Sequence, residues 1–187
     1  MTVVLALTQR SWFRLLAVAT AAFTLLSVHY GSLLRDPDSS MFNGTGDGLK
    51  NYYVFAYHVQ HDSTLMQFQG MNHPFGEQIG YPDAQPALSG LTQAAAKIYP
   101  PIGDHTVAGI NLFCLVSMVL TALSIDLLLV HFRVGWIYAG ICGIALAALS
   151  PQALRLQAGH HGLSYGWAIV LVILFLLRTL SADQPWK

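Results

Sequence analysis

Four long apolar runs constrain the fold of this chain more than any other feature of its sequence. They cover residues 12–34, 107–130, 135–149 and 163–177. A helix needs about 20 predominantly apolar residues to cross the hydrocarbon core of a bilayer, and it satisfies its backbone hydrogen bonds internally. We therefore expect an all-α fold: a polytopic membrane protein with about four transmembrane helices, a single membrane domain over residues 1–187, and a large external first loop containing amphipathic helices.

The composition agrees with a membrane protein. Of the 187 residues, 54% are hydrophobic and only 10% are charged, whereas soluble domains carry roughly 25% charged residues. Nine basic residues balance nine acidic ones, so the chain has no net charge with which to attract nucleic acid, and we expect no nucleic-acid partner. Cys114 and Cys142 both lie in apolar runs, which indicates small packed residues and no disulfide framework.

The basic residues predict the orientation of the spans. Arg10 and Arg14 lie at the start of the first run, while Arg133 and Arg178 follow the second and the fourth. Lys and Arg concentrate on the cytoplasmic side of membrane proteins. We therefore expect both termini in the cytoplasm of a bacterium, the spans in its inner membrane, and residues 35–105 outside. The first run is long enough to act as an uncleaved signal anchor.

One acidic residue, Asp126, lies inside the second run. Acids within a membrane are costly and usually functional. Asp126 is close to the end of its run, however, so it can reach the interface or pair with a basic neighbour such as Arg133. We expect this structural role for Asp126 and not a functional one.

The external loop is too long to be a structureless connector. Apolar and aromatic residues recur at helical spacing over residues 49–60, which predicts an amphipathic helix that could lie at the headgroup level. A second amphipathic helix is predicted over residues 87–99, and the residues on its apolar side are Leu88, Leu91, Ala95 and Ile98. The segment between the two helices is rich in glycine and proline, so it should turn repeatedly.

A glycine-rich polar stretch before the first loop helix carries the candidate catalytic residue. Asp47 lies where this flexible stretch meets the helix. It is either the N-cap, accepting hydrogen bonds from free amides of the first turn, or a reactive carboxylate. The glycine spacing matches neither a dinucleotide-binding loop nor a Walker loop, so a nucleotide-binding fold is rejected.

Further candidate residues lie in the loop and in a connector between the third and fourth spans, residues 150–162. Loop side chains either stay solvated or face the same cavity as Asp47. In the connector, a guanidinium group can bind phosphate oxygens and imidazoles can donate protons. We expect neither a metal site nor a cofactor, although a divalent metal is compatible with the sequence. The candidate substrate-binding residues are Lys50, Asn51, His73, Glu77, Asp83, Arg155, His160 and His161.

The order of these features resembles the N-terminal part of GT-C type membrane glycosyltransferases. The resemblance rests on the topology and on the segments Gly46–Tyr53 and Met71–Glu77, which are similar to those of a group of uncharacterised bacterial membrane proteins. It implies transfer of a sugar, with inversion, from a polyprenyl-phosphate donor to an acceptor hydroxyl, with Asp47 as the general base. It also implies that Arg155 and the histidine pair stabilise the leaving phosphate and that Lys50 could help. The implied partners are a lipid-linked sugar donor and membrane lipids.

Members of that family usually continue for many more spans, whereas this sequence has four. We therefore expect a truncated or partial enzyme, a protein that has lost activity, or one that works with a protein partner if the chain is complete at 187 residues. Two other classes of function remain open. One is a non-catalytic membrane subunit whose polar residues serve only as caps and turns. The other is a transporter, which is less favoured because the runs lack paired charges and Gly/Pro interruptions near their centres.

Overall fold

The computed structural model describes residues 2–83 and 85–182, and most of them are helical, which confirms the all-α prediction. The helices are α1 (Thr2–His29), α2 (Gly31–Arg35), α3 (Gly46–His61), α4 (Pro86–Ile98), α5 (Pro101–Asp104), α6 (Thr106–His131), α7 (Trp136–Leu149), α8 (Pro151–Gln157) and α9 (Gly166–Ala182). A 3-10 turn spans His161–Ser164, and two short strands, β1 (Gln67–Phe68) and β2 (Glu77–Gln78), pair in antiparallel fashion.

Four helical segments of the described chain are long and apolar enough to cross a membrane, as predicted. They are Trp12–His29, Thr106–His131, Trp136–Gln157 and His161–Leu180. The first ends earlier than expected, because the chain turns at Tyr30 and starts a separate short helix. The third is longer than expected, because α8 follows α7 with only Ser150 between them. The protein is therefore membrane-embedded.

The chain divides into two compact units, which are described separately. The span unit contains the described residues of Met1–Tyr30, Leu115–Ala153 and Tyr165–Lys187. The loop unit contains those of Gly31–Cys114 and Leu154–Ser164. The loop unit thus combines most of the predicted external loop with part of the connector.

Small residues bring the helices of the span unit close together. A Cβ added to Gly143 of α7 would lie 2.6 Å from the carbonyl oxygen of Ala122 on α6, and one added to Gly140 would lie 3.0 Å from Val18 Cγ2 on α1. Close backbone approach over small residues is how helices associate where no hydrophobic effect drives them together. Val18, Ala22, Ala122 and Ala147 form the buried cluster at this crossing.

A buried ion pair lies beside this cluster. The Arg14 Nε atom is 3.1 Å from Asp126 Oδ2, and the Asp126 side chain is completely buried. The predicted pairing of Asp126 with Arg133 is therefore wrong. Arg133 follows Asp126 closely in sequence, but α6 ends at His131 and the Arg133 side chain is exposed. Arg14 is supplied by α1, which packs against the same part of α6 and α7.

The loop unit is built around α3. Val54 of this helix packs with Phe68 and Ile79 from the two-stranded hairpin, and Tyr57 lies against the same cluster. The hairpin was not predicted as such, because its strands are only two residues long. Tyr52 and Phe55 of this helix are inside the unit, whereas Leu49 and Tyr53 are about half exposed. The predicted placement of α3 at the headgroup level stays a prediction.

Candidate functional site

The N-terminus of α3 carries the candidate catalytic residue. Thr45 is the N-cap, so Asp47 lies inside the first turn and the N-cap hypothesis for Asp47 is wrong. The Asn43 side chain sets this start, because its Oδ1 accepts hydrogen bonds from the Thr45 amide (2.9 Å) and the Thr45 hydroxyl (2.8 Å). Gly46 follows with a φ of +52°, a value that suits glycine. The Asp47 carboxylate is left pointing outward, with 57% of its side chain exposed.

Lys50 is the nearest charged neighbour of this carboxylate. Its Nζ atom lies 4.0 Å from Asp47 Oδ1, one turn along α3, and its side chain is 37% exposed. An exposed pair of this kind contributes little to stability. Asp47 therefore remains available to a reactant, with an ammonium group close to it.

Gly159 of the connector packs directly on the first turn of α3. A Cβ added to Gly159 would lie 2.3 Å from the Gly48 amide nitrogen and 3.1 Å from the Asp47 carbonyl carbon. Gly159 also has a φ of +93°, in the left-handed region that side chains rarely adopt. The two polar stretches singled out in the sequence are thus in contact through their backbones.

We expect Gly159→Ala to destabilise the loop unit strongly. The left-handed backbone alone costs about 1–3 kcal/mol for a residue with a Cβ, and the clash with the Gly48 backbone adds to it. Thermal unfolding of the purified protein in detergent measures the loss. Gly109→Ala is the matched control, because a Cβ there meets nothing within 4 Å; equal unfolding temperatures for the two variants would contradict this packing.

Asn51 holds the connector in this position. Its Nδ2 donates a 2.8 Å hydrogen bond to the Gly159 carbonyl oxygen, and the residue is 2% exposed. The Asn51 Oδ1 atom is buried and makes no hydrogen bond within residues 2–83 and 85–182. The predicted substrate-binding role of Asn51 is therefore accompanied by a clear structural one.

His161 is also inside the loop unit. Its ring packs edge-on against Tyr52 at 4.7 Å between centroids, and neither ring nitrogen has a hydrogen-bond partner among the described residues. The Tyr52 hydroxyl donates to Asn111 Oδ1 and accepts the Phe42 amide hydrogen at 3.2 Å. Burial raises the pKa of this hydroxyl, so Tyr52 stays a neutral donor. His161 thus anchors the connector by packing on Tyr52, and its ring is inaccessible to solvent.

Arg155, His160 and Asp83 are the remaining candidates at this end of the unit. Arg155 is exposed and forms no ion pair with any described residue, while His160 is half-buried. Asp83, with a φ of +63°, places its Oδ1 atom 3.0 Å from the position of a Cβ added to Gly162. Asp83 therefore lies beside the connector, and its predicted place in one cavity with Asp47 stays a prediction.

His73 and Glu77 belong to the hairpin instead. His73 is exposed in the loop between the strands, and Glu77 is half-buried in β2. The hairpin contacts the middle of α3, where the Tyr53 hydroxyl donates to the Gly70 carbonyl oxygen at 3.1 Å. No contact described in the structure links either candidate to Asp47.

A buried histidine–aspartate pair was missed by the sequence reasoning. His58 Nδ1 lies 2.8 Å from Asp62 Oδ2, and Gln93 of α4 donates to the carbonyl oxygens of both residues. The signal was a histidine and an aspartate four residues apart where α3 ends. Within the described part of the chain, no three His, Cys, Asp or Glu side chains are grouped so as to hold a metal ion.

The comparisons with known proteins bear on the family of this chain. Residues 16–187 match the family described as Domain of unknown function (DUF6311). No match was found among curated proteins or among solved structures. The matched range includes Asp47, Lys50 and the whole connector, together with nearly all of the described helices. The chain therefore belongs to the DUF6311 family.

Proposed function

We propose that this protein is a GT-C-like inverting glycosyltransferase, which moves a sugar from a polyprenyl-phosphate donor to an acceptor hydroxyl. The observation that supports the proposal best is the contact of Gly159 with the first turn of α3. It brings the connector that carries Arg155 and His160 to the helix end that carries Asp47. A base and a phosphate-binding group must lie on either side of one sugar for direct displacement.

Asp47 serves as the general base in this reaction. Its exposed carboxylate accepts the proton of the acceptor hydroxyl as that oxygen attacks the anomeric carbon. The bond between the anomeric carbon and the phosphate oxygen breaks, and polyprenyl phosphate leaves with the bonding electrons. Attack from the side opposite the leaving group inverts the anomeric centre. Lys50 places its Nζ atom 4.0 Å from Asp47 Oδ1, so an ammonium group lies beside the base.

Arg155 binds the leaving phosphate. A guanidinium group offers paired N–H donors that match phosphate oxygens, and the Arg155 side chain is exposed with no acidic partner in the described chain. His160 supplies a further donor beside it. Asn51 and His161 hold the connector in place, and Asp83 lies beside the connector, whereas His73 and Glu77 belong to the hairpin and have no step in this reaction.

The location proposed for this reaction is the outer face of a bacterial inner membrane, with both termini in the cytoplasm. The four apolar helices support membrane embedding, and the arginines at the starts and ends of the spans support this orientation. A lipid-linked donor is then available from the bilayer that holds the protein.

A transfer assay with Arg155→Ala tests the proposal. We expect proteoliposomes of the wild-type chain to transfer labelled hexose from a panel of polyprenyl-phosphate hexoses. Loss of a charged hydrogen bond costs about 1.5–3 kcal/mol, so Arg155→Ala should raise the apparent KM for the donor by about 10- to 100-fold.

Arg178→Ala is the matched control, since Arg178 is also exposed but lies near the end of α9, in the span unit. Its KM should equal that of the wild type. An unchanged KM in Arg155→Ala, or equal changes in the two variants, would remove the phosphate-binding role.

A non-catalytic membrane subunit is the second candidate. It is favoured by one observation: two of the candidate residues, Asn51 and His161, are buried and committed to packing. Absence of transfer from every donor by a folded wild-type chain would select this function over the first.

A further inference from the structure

The helix α4 exposes its apolar side and buries its polar side. Leu91 is 71% exposed and Ile98 is 87% exposed, and Ala87 and Ala94 lie on the same exposed side. On the opposite side, Ser89 is completely buried and Gln93 is 1% exposed. A helix on the surface of a water-soluble domain has the reverse arrangement.

The polar side chains of α4 are used to attach it to the rest of the loop unit. Gln93 Nε2 donates to the carbonyl oxygens of His58 (3.0 Å) and Asp62 (2.8 Å), where α3 ends. The Lys97 amine donates to the Ser63 carbonyl oxygen at 3.3 Å. These bonds fix the rotation of α4, so the outward direction of its apolar stripe follows from them.

The apolar surface extends beyond the helix itself. Leu65 is 49% exposed and packs beside Gly90, whose added Cβ would lie 3.7 Å from Leu65 Cδ2. Tyr99, 61% exposed, continues the surface where α4 ends. A contiguous exposed apolar surface of this kind marks a place where a protein meets a membrane or another protein.

We propose that this surface, made of Leu91, Ala94, Ile98, Tyr99 and Leu65, rests on the membrane and inserts into the hydrocarbon edge of the bilayer. The chain itself favours lipid as the occupant. Only the short helix α5 separates Tyr99 from α6, an apolar helix that can span the membrane from Thr106 onwards. The end of α4 is therefore tied to the point where the chain enters the bilayer.

The stripe has the composition that an interfacial surface needs. It contains no charged residue, and the one lysine of α4, Lys97, is bonded back to the protein. A tyrosine at its end is suited to the headgroup level, where its ring is apolar and its hydroxyl is hydrated. This inference does not depend on sugar transfer and holds for a non-catalytic protein as well.

Spin labels on the full chain test the proposal. The two native cysteines are replaced by alanine, and Leu91→Cys, Ala94→Cys and Ile98→Cys are labelled one at a time in nanodiscs of phosphatidylethanolamine and phosphatidylglycerol. Ala94→Cys changes an exposed small residue, so it keeps the test valid if a larger substitution impairs folding. Gln78→Cys is the control, because Gln78 is exposed on the hairpin and polar.

Power saturation then distinguishes lipid, water and protein around each label. We expect the stripe labels to shift toward oxygen accessibility and away from a water-soluble nickel chelate, and the label at Gln78 to show more nickel accessibility than they do. Stripe labels that match Gln78 would overturn the proposal, since the surface would face water. Labels closed to both oxygen and nickel would also overturn it, in favour of a covering protein.

Discussion

Replacing Asp47 with asparagine is expected to lower the rate of sugar transfer by about 100- to 10,000-fold. The change keeps the size of the side chain and one oxygen but removes the group that accepts the proton. It hardly alters the fold, because Asp47 makes no capping bond and its side chain is 57% exposed. The lost interaction of the carboxylate with the helix N-terminus is worth only about 0.3–1 kcal/mol.

The size of the effect separates chemistry from stability. A loss of at most about 1 kcal/mol leaves a protein of ordinary stability folded, so unfolding cannot produce such a drop in rate. Initial rates at saturating donor, measured beside the thermal unfolding temperature, give both quantities for each variant.

Asp104→Asn is the matched control for this experiment. Asp104 is likewise an exposed aspartate of the loop unit, in α5, and it forms no ion pair with any residue that the structure describes. Its rate should equal that of the wild type. If Asp47→Asn retained wild-type activity, Asp47 would not be the base, and another acid near the connector, Asp83 first, would have to be tested.

The spans were predictable because length and hydropathy alone decide whether a helix can cross a bilayer. All four apolar runs are helical segments of sufficient length. Their ends were less predictable. The first run continues in sequence to Leu34, yet the chain turns at Tyr30, and Leu33 is buried in the loop unit. Hydropathy records that a residue is apolar and does not record which apolar surface it joins.

The candidate site was predictable only as residue types. Asp47 and the connector were both singled out, but nothing in the sequence indicated that Gly159 allows their backbones to meet. Asn51 and His161 were expected to bind substrate because they are polar residues in polar stretches. Their burial depends on neighbours that are distant in sequence, such as Tyr52 beneath His161, and no local pattern reveals it.

The same limitation explains why the partner of Asp126 was predicted wrongly. Sequence proximity favoured Arg133, but contacts between helices are set by packing, and the small residues of α7 allow α1 to approach Asp126. At Gly140 the tight contact is with α1, because an added Cβ would lie 3.0 Å from Val18 Cγ2.

The second large effect is expected from breaking the Arg14–Asp126 pair. Asp126→Ala leaves the Arg14 guanidinium, only 15% exposed, without its counter-charge. Removing one partner of a buried ion pair costs about 3–5 kcal/mol, because the remaining charge stays desolvated. We expect Asp126→Ala to lower the unfolding temperature of the purified protein markedly and to reduce its yield.

The double variant Arg14→Met, Asp126→Leu should recover most of this loss. Replacing both charges with apolar residues of similar size removes the desolvated charge together with its partner, which is often neutral for stability. Thermal unfolding of the single and double variants in one detergent gives the coupling between the two positions.

Arg133→Gln is the control, because Arg133 is the basic residue that proximity in sequence had favoured. Its side chain is exposed after the end of α6, so its removal should leave the unfolding temperature unchanged. Two results would contradict the pairing: a double variant as unstable as Asp126→Ala, or an Arg133→Gln variant that is destabilised as much as Asp126→Ala. In the first case the charges act separately, and in the second Asp126 depends on Arg133 after all.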